Sequence, residues 1–132
     1  MSYRIIQDLN EKDPPKEHEK QAARILAEYF KSDLEFIRKG VSTTPDIRVI
    51  KTDQIWELKC PLGNGKRTMA NNLRSASKQS SFVIIDLSRC KMNNKNALAR
   101  IRNFMQSGDA HIKKLLIIEK GGEVVDYSVL KR

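Results

Sequence analysis

The stretch TPDIRVIKTDQIWELKC, Thr44 to Cys60, decides how this chain is read, because it sets Asp46, Glu57 and Lys59 into two neighbouring β-patterned runs of a basic protein. DIRVI and QIWELK read as a hairpin turning around Lys51 to Gln54. Alternation puts Glu57 and Lys59 on one face of the second strand and Trp56 and Leu58 on the other. A loop of two or four residues centred on Thr52-Asp53 then sets Asp46 opposite Lys59 and Arg48 opposite Glu57. Asp46 and Glu57 become diagonal neighbours on one face, with Cα atoms about 7–8 Å apart. A three-residue loop would send Asp46 to the other face.

Two carboxylates converging from a rigid pair of strands suit Mg²⁺ or Mn²⁺, which prefer oxygen ligands and keep several waters. The backbone carbonyl of Leu58 offers a third ligand. Lys59 beside them is placed to orient or deprotonate an attacking water and to screen charge building on phosphorus. The plainer reading of the same residues is a surface ladder of Asp-Lys and Glu-Arg cross-strand pairs.

Working outward, 132 residues are expected to form one domain, 1–132, able to bury roughly two-thirds of its unfolded surface. Lys and Arg number 25 against 16 Asp and Glu, a net charge of +9 that suits a polyanion such as nucleic acid. The longest apolar runs, FVII and LLII, fall far short of the roughly 20 residues of a membrane span, and the N-terminus has no signal-peptide core. A cytoplasmic chain without a membrane partner is the expectation. Cys60 and Cys90 lie in no metal-ligand spacing and read as reduced thiols, so zinc is not indicated.

Asp13-Pro14-Pro15 is a helix-start signal with Asp13 as cap, predicting a helix from about Pro14 to Lys31. Its apolar stripe is Ala22, Ile25, Leu26, Tyr29 and Phe30, with Glu19 at the edge. LEFIR is a short strand closing at Lys39-Gly40. CPLGNGKR is a loop, Thr68 to about Lys78 a second helix, and SFVIIDL a strand covered on both faces. Asn94 to Ser107 is a third helix stopped by Gly108. KKLLIIEK and EVVDYSVL form an antiparallel pair around Gly121-Gly122. A right-handed crossover makes strands 81–87 and 114–119 parallel. The order α-β-β-β-α-β-α-β-β is that of an α/β fold with a mixed sheet flanked by helices.

TPD followed after ten residues by ELK resembles the PD-(D/E)XK nuclease signature, and the order of elements resembles that superfamily's αβββαβ core. The longer stretch TPDIRV…WELKCPLGNGKRTMANNLRSASKQSSFVIIDL is similar to the C-terminal tRNA-cleaving nuclease domain of bacterial contact-dependent growth inhibition toxins. That similarity runs from the helix around Glu19 to LLIIEKGGEVVDY. It implies that Asp46 and Glu57 hold a metal, that Lys59 is the catalytic lysine, and that Glu19, or less closely Glu17, adds a carboxylate from the first helix. From the helix after the motif it implies a phosphate contact, matched here by Asn72, Lys78 or Gln79. An RNase acting on tRNA with Mg²⁺ or Mn²⁺, and an acidic immunity protein covering its site, are the corresponding expectations. The chain departs from the toxin pattern in starting with Met and lacking a delivery module or export signal; a stand-alone relative, an orphan copy and an excised domain all fit that.

CPLGNGKRT is not a nucleotide-hydrolysing phosphate loop, since Cys60 and Arg67 stand where glycine and a hydroxyl residue are needed. A glycine turn leading into a helix can still hold a substrate phosphate, with help from Lys66 and Arg67. Lys78, Arg89, Lys91, Lys95, Arg100 and Arg102 offer a backbone-binding surface. His18 and His111 have no neighbouring nucleophile arrangement, and Trp56 is expected in the core. Two alternatives stand beside the RNase: a DNA endonuclease or resolvase on the same core, and a non-catalytic nucleic-acid-binding module.

Overall fold

The chain, seen as a computed structural model, is described over residues 2–7, 14–37, 46–107 and 111–130. The expected cap at Asp13, the strand end at Lys39-Gly40, Thr44-Pro45 of the motif and the stop at Gly108 lie outside the described residues. Two compact units divide the chain, Met1–Trp56 and Glu57–Arg132, and the division falls inside one strand, β4.

In the first unit, β1 (Ile5–Ile6) runs parallel to β2 (Leu34–Ile37), and β2 pairs antiparallel with β3 (Asp46–Val49). A two-residue strand has no periodicity to read, and β1 is held instead by Leu34 N–H donating to the Arg4 carbonyl and Arg4 N–H donating to Asp33. Helix α1 (Glu17–Phe30) starts three residues later than the expected Pro14. Pro15 disfavours helical geometry at Pro14, and neither proline has an N–H to donate. Lys16 is the extended N-cap, and its N–H donates to Glu19 Oε1 at 2.8 Å. Lys31, left-handed at φ 53°, closes the helix.

The buried stripe of α1 is Glu19, Ala22, Ala23, Leu26 and Ala27. It is rotated from the expected one: Tyr29 is exposed and Ile25 only half-buried. Ala23 meets Leu34, Phe36 and Ile47 around one small void, so the small alanines let the helix approach the strand pair. Each fully buried Leu or Ile in this layer contributes roughly 1.5–3 kcal/mol.

The connection from β3 to β4 (Gln54–Lys59) is Ile50 to Asp53, four residues. Val49 O accepts Asp53 N at 2.7 Å and Thr52 N at 3.3 Å, and Asp53 closes the turn at φ 61°. The even length is the one the sequence argument requires, but the turn sits one residue nearer the N-terminus, because the left-handed residue that ends it is Asp53. Arg48 does not turn to Glu57 as expected. Its guanidinium is held by Glu35 at 2.7 Å across the β2–β3 pair and by Asp53 at 2.6 Å.

In the second unit, β4 pairs parallel with β5 (Phe82–Asp86), β5 parallel with β6 (Lys114–Ile118), and β6 antiparallel with β7 (Val124–Asp126). Helices α2 (Thr68–Ser77) and α3 (Asn94–Gln106) make the crossovers. Met69, Leu73 and Ala76 of α2 and Ala97, Ile101 and Phe104 of α3 share one core with Val83, Ile85, Leu115 and Ile117. Ile84 and Leu116, on the other face, are also buried, which is why SFVIIDL and KKLLIIEK read as continuous apolar runs.

EVVDYSVL is not one strand. Asp126 Oδ1 accepts the Ser128 N–H at 2.9 Å, and the chain turns into a short helix, α4 (Tyr127–Leu130). Cys60 and Cys90 are not bridged, and Cys90 Sγ donates to the Gly63 carbonyl. The architecture is α/β with mixed strand pairing, as expected. No helix among the described residues is long and apolar enough to cross a membrane.

Candidate metal and phosphodiester site

Pairing of β4 with β5 matches Glu57 to Val83 and Lys59 to Ile85, the β5 residues that face α2 and α3. Glu57 and Lys59 therefore lie on the helix-covered face of their strand. Trp56 points the other way, 2% exposed, with its ring 5.5 Å from that of Phe30 on α1, in the core as expected.

Glu57 is 1% exposed, and a carboxylate taken so far from water is costly unless it is paired. Lys59 Nζ stands 3.6 Å from its Oε1. From the end of α2, where Gln79 N–H and Ser80 N–H both donate to the Ala76 carbonyl, the Gln79 side chain reaches the same group. With its amide turned to satisfy the network, Gln79 donates to Glu57 Oε1 at 3.3 Å and Oε2 at 3.1 Å. One carboxylate thus meets a cation from its own strand and a neutral donor from the following helix.

The described residues bury four acids: Glu19, Asp46, Glu57 and Asp86. Acids are almost never fully buried without a purpose or a partner, and three of these four are the metal ligands expected from the sequence. Asp86 is accounted for by its turn, where Oδ1 accepts the Ser88 N–H. Asp46 begins β3 in register with Ile37, and Glu19 caps α1. The second unit brings Glu57, Lys59 and Gln79 together; Asp46 and Glu19 are each buried in the first.

Among the described residues no group of three or more His, Cys, Asp or Glu is gathered to hold a metal ion. A divalent ion on this chain would take carbonyl oxygen and water into its shell beside any carboxylate, as Mg²⁺ commonly does. Arg48 stays outside such chemistry: its hydrogen bonds to Asp53 and then to Glu35 raise its pKa above the usual guanidinium value, so it is a fixed charge.

The other expected contacts separate. Lys66, Arg67 and Lys78 are exposed, with Arg67 at the start of α2 and Lys78 at its end. Asn72 is turned inward, its Nδ2 donating to the Thr68 carbonyl at 2.8 Å.

Residues 43–124 match the family described as the contact-dependent growth inhibition CdiA C-terminal domain. The chain belongs to that family. The match to the CdiA C-terminal domain takes in β3 through the start of β7, and so includes Asp46, Glu57, Lys59 and Gln79. In fold, the chain is similar to the CdiA-CT/CdiI toxin and immunity complex from Burkholderia pseudomallei, with a TM-score of 0.64 and 17% identity, over 93% of this chain and 97% of that one. At that identity the likeness is one of fold. No curated protein matches the sequence.

Proposed function

We propose that this CdiA C-terminal domain is a toxin that hydrolyses phosphodiester bonds in RNA, with tRNA its foremost substrate, on a PD-(D/E)XK-type centre. The observation that carries this is Glu57: a fully buried carboxylate with Lys59 and Gln79 on it, inside the matched family segment. Asp46 and Glu57 would hold Mg²⁺ or Mn²⁺ together with the Leu58 carbonyl, and Glu19 would be a further carboxylate acting through the water shell of the ion. Supporting the reading are the burial of each acid in its own unit and Trp56 taking the face of β4 opposite to Glu57.

When bound, the ion would supply a water of lowered pKa and charge to meet the developing phosphorane. Lys59 holds the Glu57 oxygen and is available to orient the attacking water or take its proton. Gln79 keeps the Glu57 plane fixed by donating to both oxygens. The surplus of basic residues draws the polyanion toward these groups. The toxin reading rests on the family and on the neighbour being a toxin and immunity complex, and with it goes an acidic immunity protein as partner.

The test is cleavage of labelled tRNA and of duplex DNA with Mg²⁺, with Mn²⁺ and with EDTA. RNA cut only with metal is the expected outcome. Cutting of DNA alone would move the protein to the endonuclease class, and binding without cutting under every condition would make it a non-catalytic module.

A further inference from the structure

Helix α3 turns Ala97, Ile101 and Phe104 into the core and leaves a second stripe outside, in which Asn93, Asn96, Arg100 and Asn103 recur at helical spacing. This stripe floors a cleft of about 490 Å³ whose walls are Asn64 of the glycine loop and Lys91. Across Arg100 and Asn103 the cleft continues into a second hollow of about 250 Å³ against α2, lined by Lys66 and Arg74. Arg74 is set there by its guanidinium lying 5.7 Å from the Phe104 ring centre. Among the described residues, no acidic side chain lines either hollow.

We propose that this asparagine and arginine groove on α3 binds a single-stranded segment of RNA, phosphates on Lys66, Arg74, Lys91 and Arg100 and base edges on Asn96 and Asn103. The lining chemistry selects the occupant. Four cations gathered on one groove call for a polyanion, and side-chain amides offer a donor and an acceptor together, which is what a base edge requires. A protein partner would want an apolar, aromatic centre depleted of charge, whereas here the apolar residues, Met92, Ala99, Ala70 and Phe104, are interspersed with four cations and four asparagines. Asn96 to Asn103 spans about 10 Å of helix, room for a short run of nucleotides. The groove deepens the nuclease reading, on which it rests, by giving substrate a hold outside the carboxylate centre. Arg74 and Lys78 on the exposed side of α2 lead from it toward Gln79, and so toward Glu57.

The test uses the full chain carrying Glu57→Gln, so that RNA survives the measurement, and reads anisotropy of a fluorescein-labelled single-stranded 12-mer RNA across a salt series. Asn103→Ala and Arg100→Gln should each weaken binding about five- to tenfold, and Arg100→Gln should lower the slope of log affinity on log salt by about 0.7, while Arg100→Lys keeps that slope. Circular dichroism of the same samples shows that these exposed substitutions leave the fold intact. Unchanged affinity in both Asn103→Ala and Arg100→Gln would overturn the proposal. So would poly-glutamate of matched charge binding as tightly as the RNA, since the groove would then read charge alone or serve an acidic protein. Absence of cleavage by the wild-type chain, with the groove variants still losing RNA, would fail the nuclease reading and leave the groove standing.

Discussion

Lys59 Nζ lies 3.6 Å from Glu57 Oε1, two residues along the same strand and on the same face. The pair is 15% and 1% exposed at its side chains, so solvent screens it little. Removing either charge alone has unequal consequences. Lys59→Met leaves a buried carboxylate and is expected to cost about 3–5 kcal/mol, whereas Glu57→Gln leaves a lysine that can reach water and is expected to cost under about half of that. Urea unfolding of both variants checks the asymmetry.

Gln79 adds two neutral hydrogen bonds to the Glu57 carboxylate. Gln79→Ala should lower stability by about 1–3 kcal/mol, and Gln79→Glu by more, because two carboxylates would then face each other. Adding Mn²⁺ should recover stability in Gln79→Glu and not in Gln79→Ala. Equal melting temperatures for wild type and Gln79→Ala would show that Gln79 does not hold Glu57.

Glu19 has a structural duty already, accepting the Lys16 N–H at the start of α1. Glu19→Ala is expected to cost about 1 kcal/mol through the lost cap. Glu19→Gln keeps an accepting oxygen and should retain stability, so it isolates the second duty proposed for this residue. Activity that falls at least tenfold in Glu19→Gln, with melting unchanged, marks Glu19 as part of the site; full activity restricts it to capping.

The turn between β6 and β7 separates two adjacent glycines. Gly122 sits at φ 93° with its N–H donating to the Glu119 carbonyl, while a Cβ on Gly121 would meet nothing within 4 Å. Gly122→Ala should cost about 1–2 kcal/mol, and Gly121→Ala should be neutral or slightly stabilising. Thermal melts of the two variants should therefore move apart by several degrees.

Much of this was legible in the sequence because apolar periodicity reports burial directly. The parallel core strands and the inward stripe of α3 follow from runs such as FVIID and from Ala97, Ile101 and Phe104. The even length of the turn after Val49 was legible too, because turn length is local. What escaped depended on single aspartate side chains accepting backbone N–H groups, which leave no periodic signal: β1, held by Arg4 and Asp33, and the turn at Asp126 that ends β7 early. The α1 stripe shifted because alanine, the residue that allows close approach, carries less hydrophobic weight than the exposed Tyr29. At the site, the motif named Glu57 and Lys59. That Gln79, rather than Asn72, reaches the carboxylate depended on where α2 ends, which sequence locates only to within a residue or two.

The most direct measurement pairs Mn²⁺ binding, read by electron paramagnetic resonance, with tRNA cleavage in the wild type, Asp46→Asn, Glu57→Gln and Lys59→Met. The expected result is that Asp46→Asn and Glu57→Gln lose bound Mn²⁺ and cleavage together, and that Lys59→Met keeps the ion while losing at least about 10²-fold in rate. Cleavage that persists in EDTA, or in Asp46→Asn at the wild-type rate, would contradict the account.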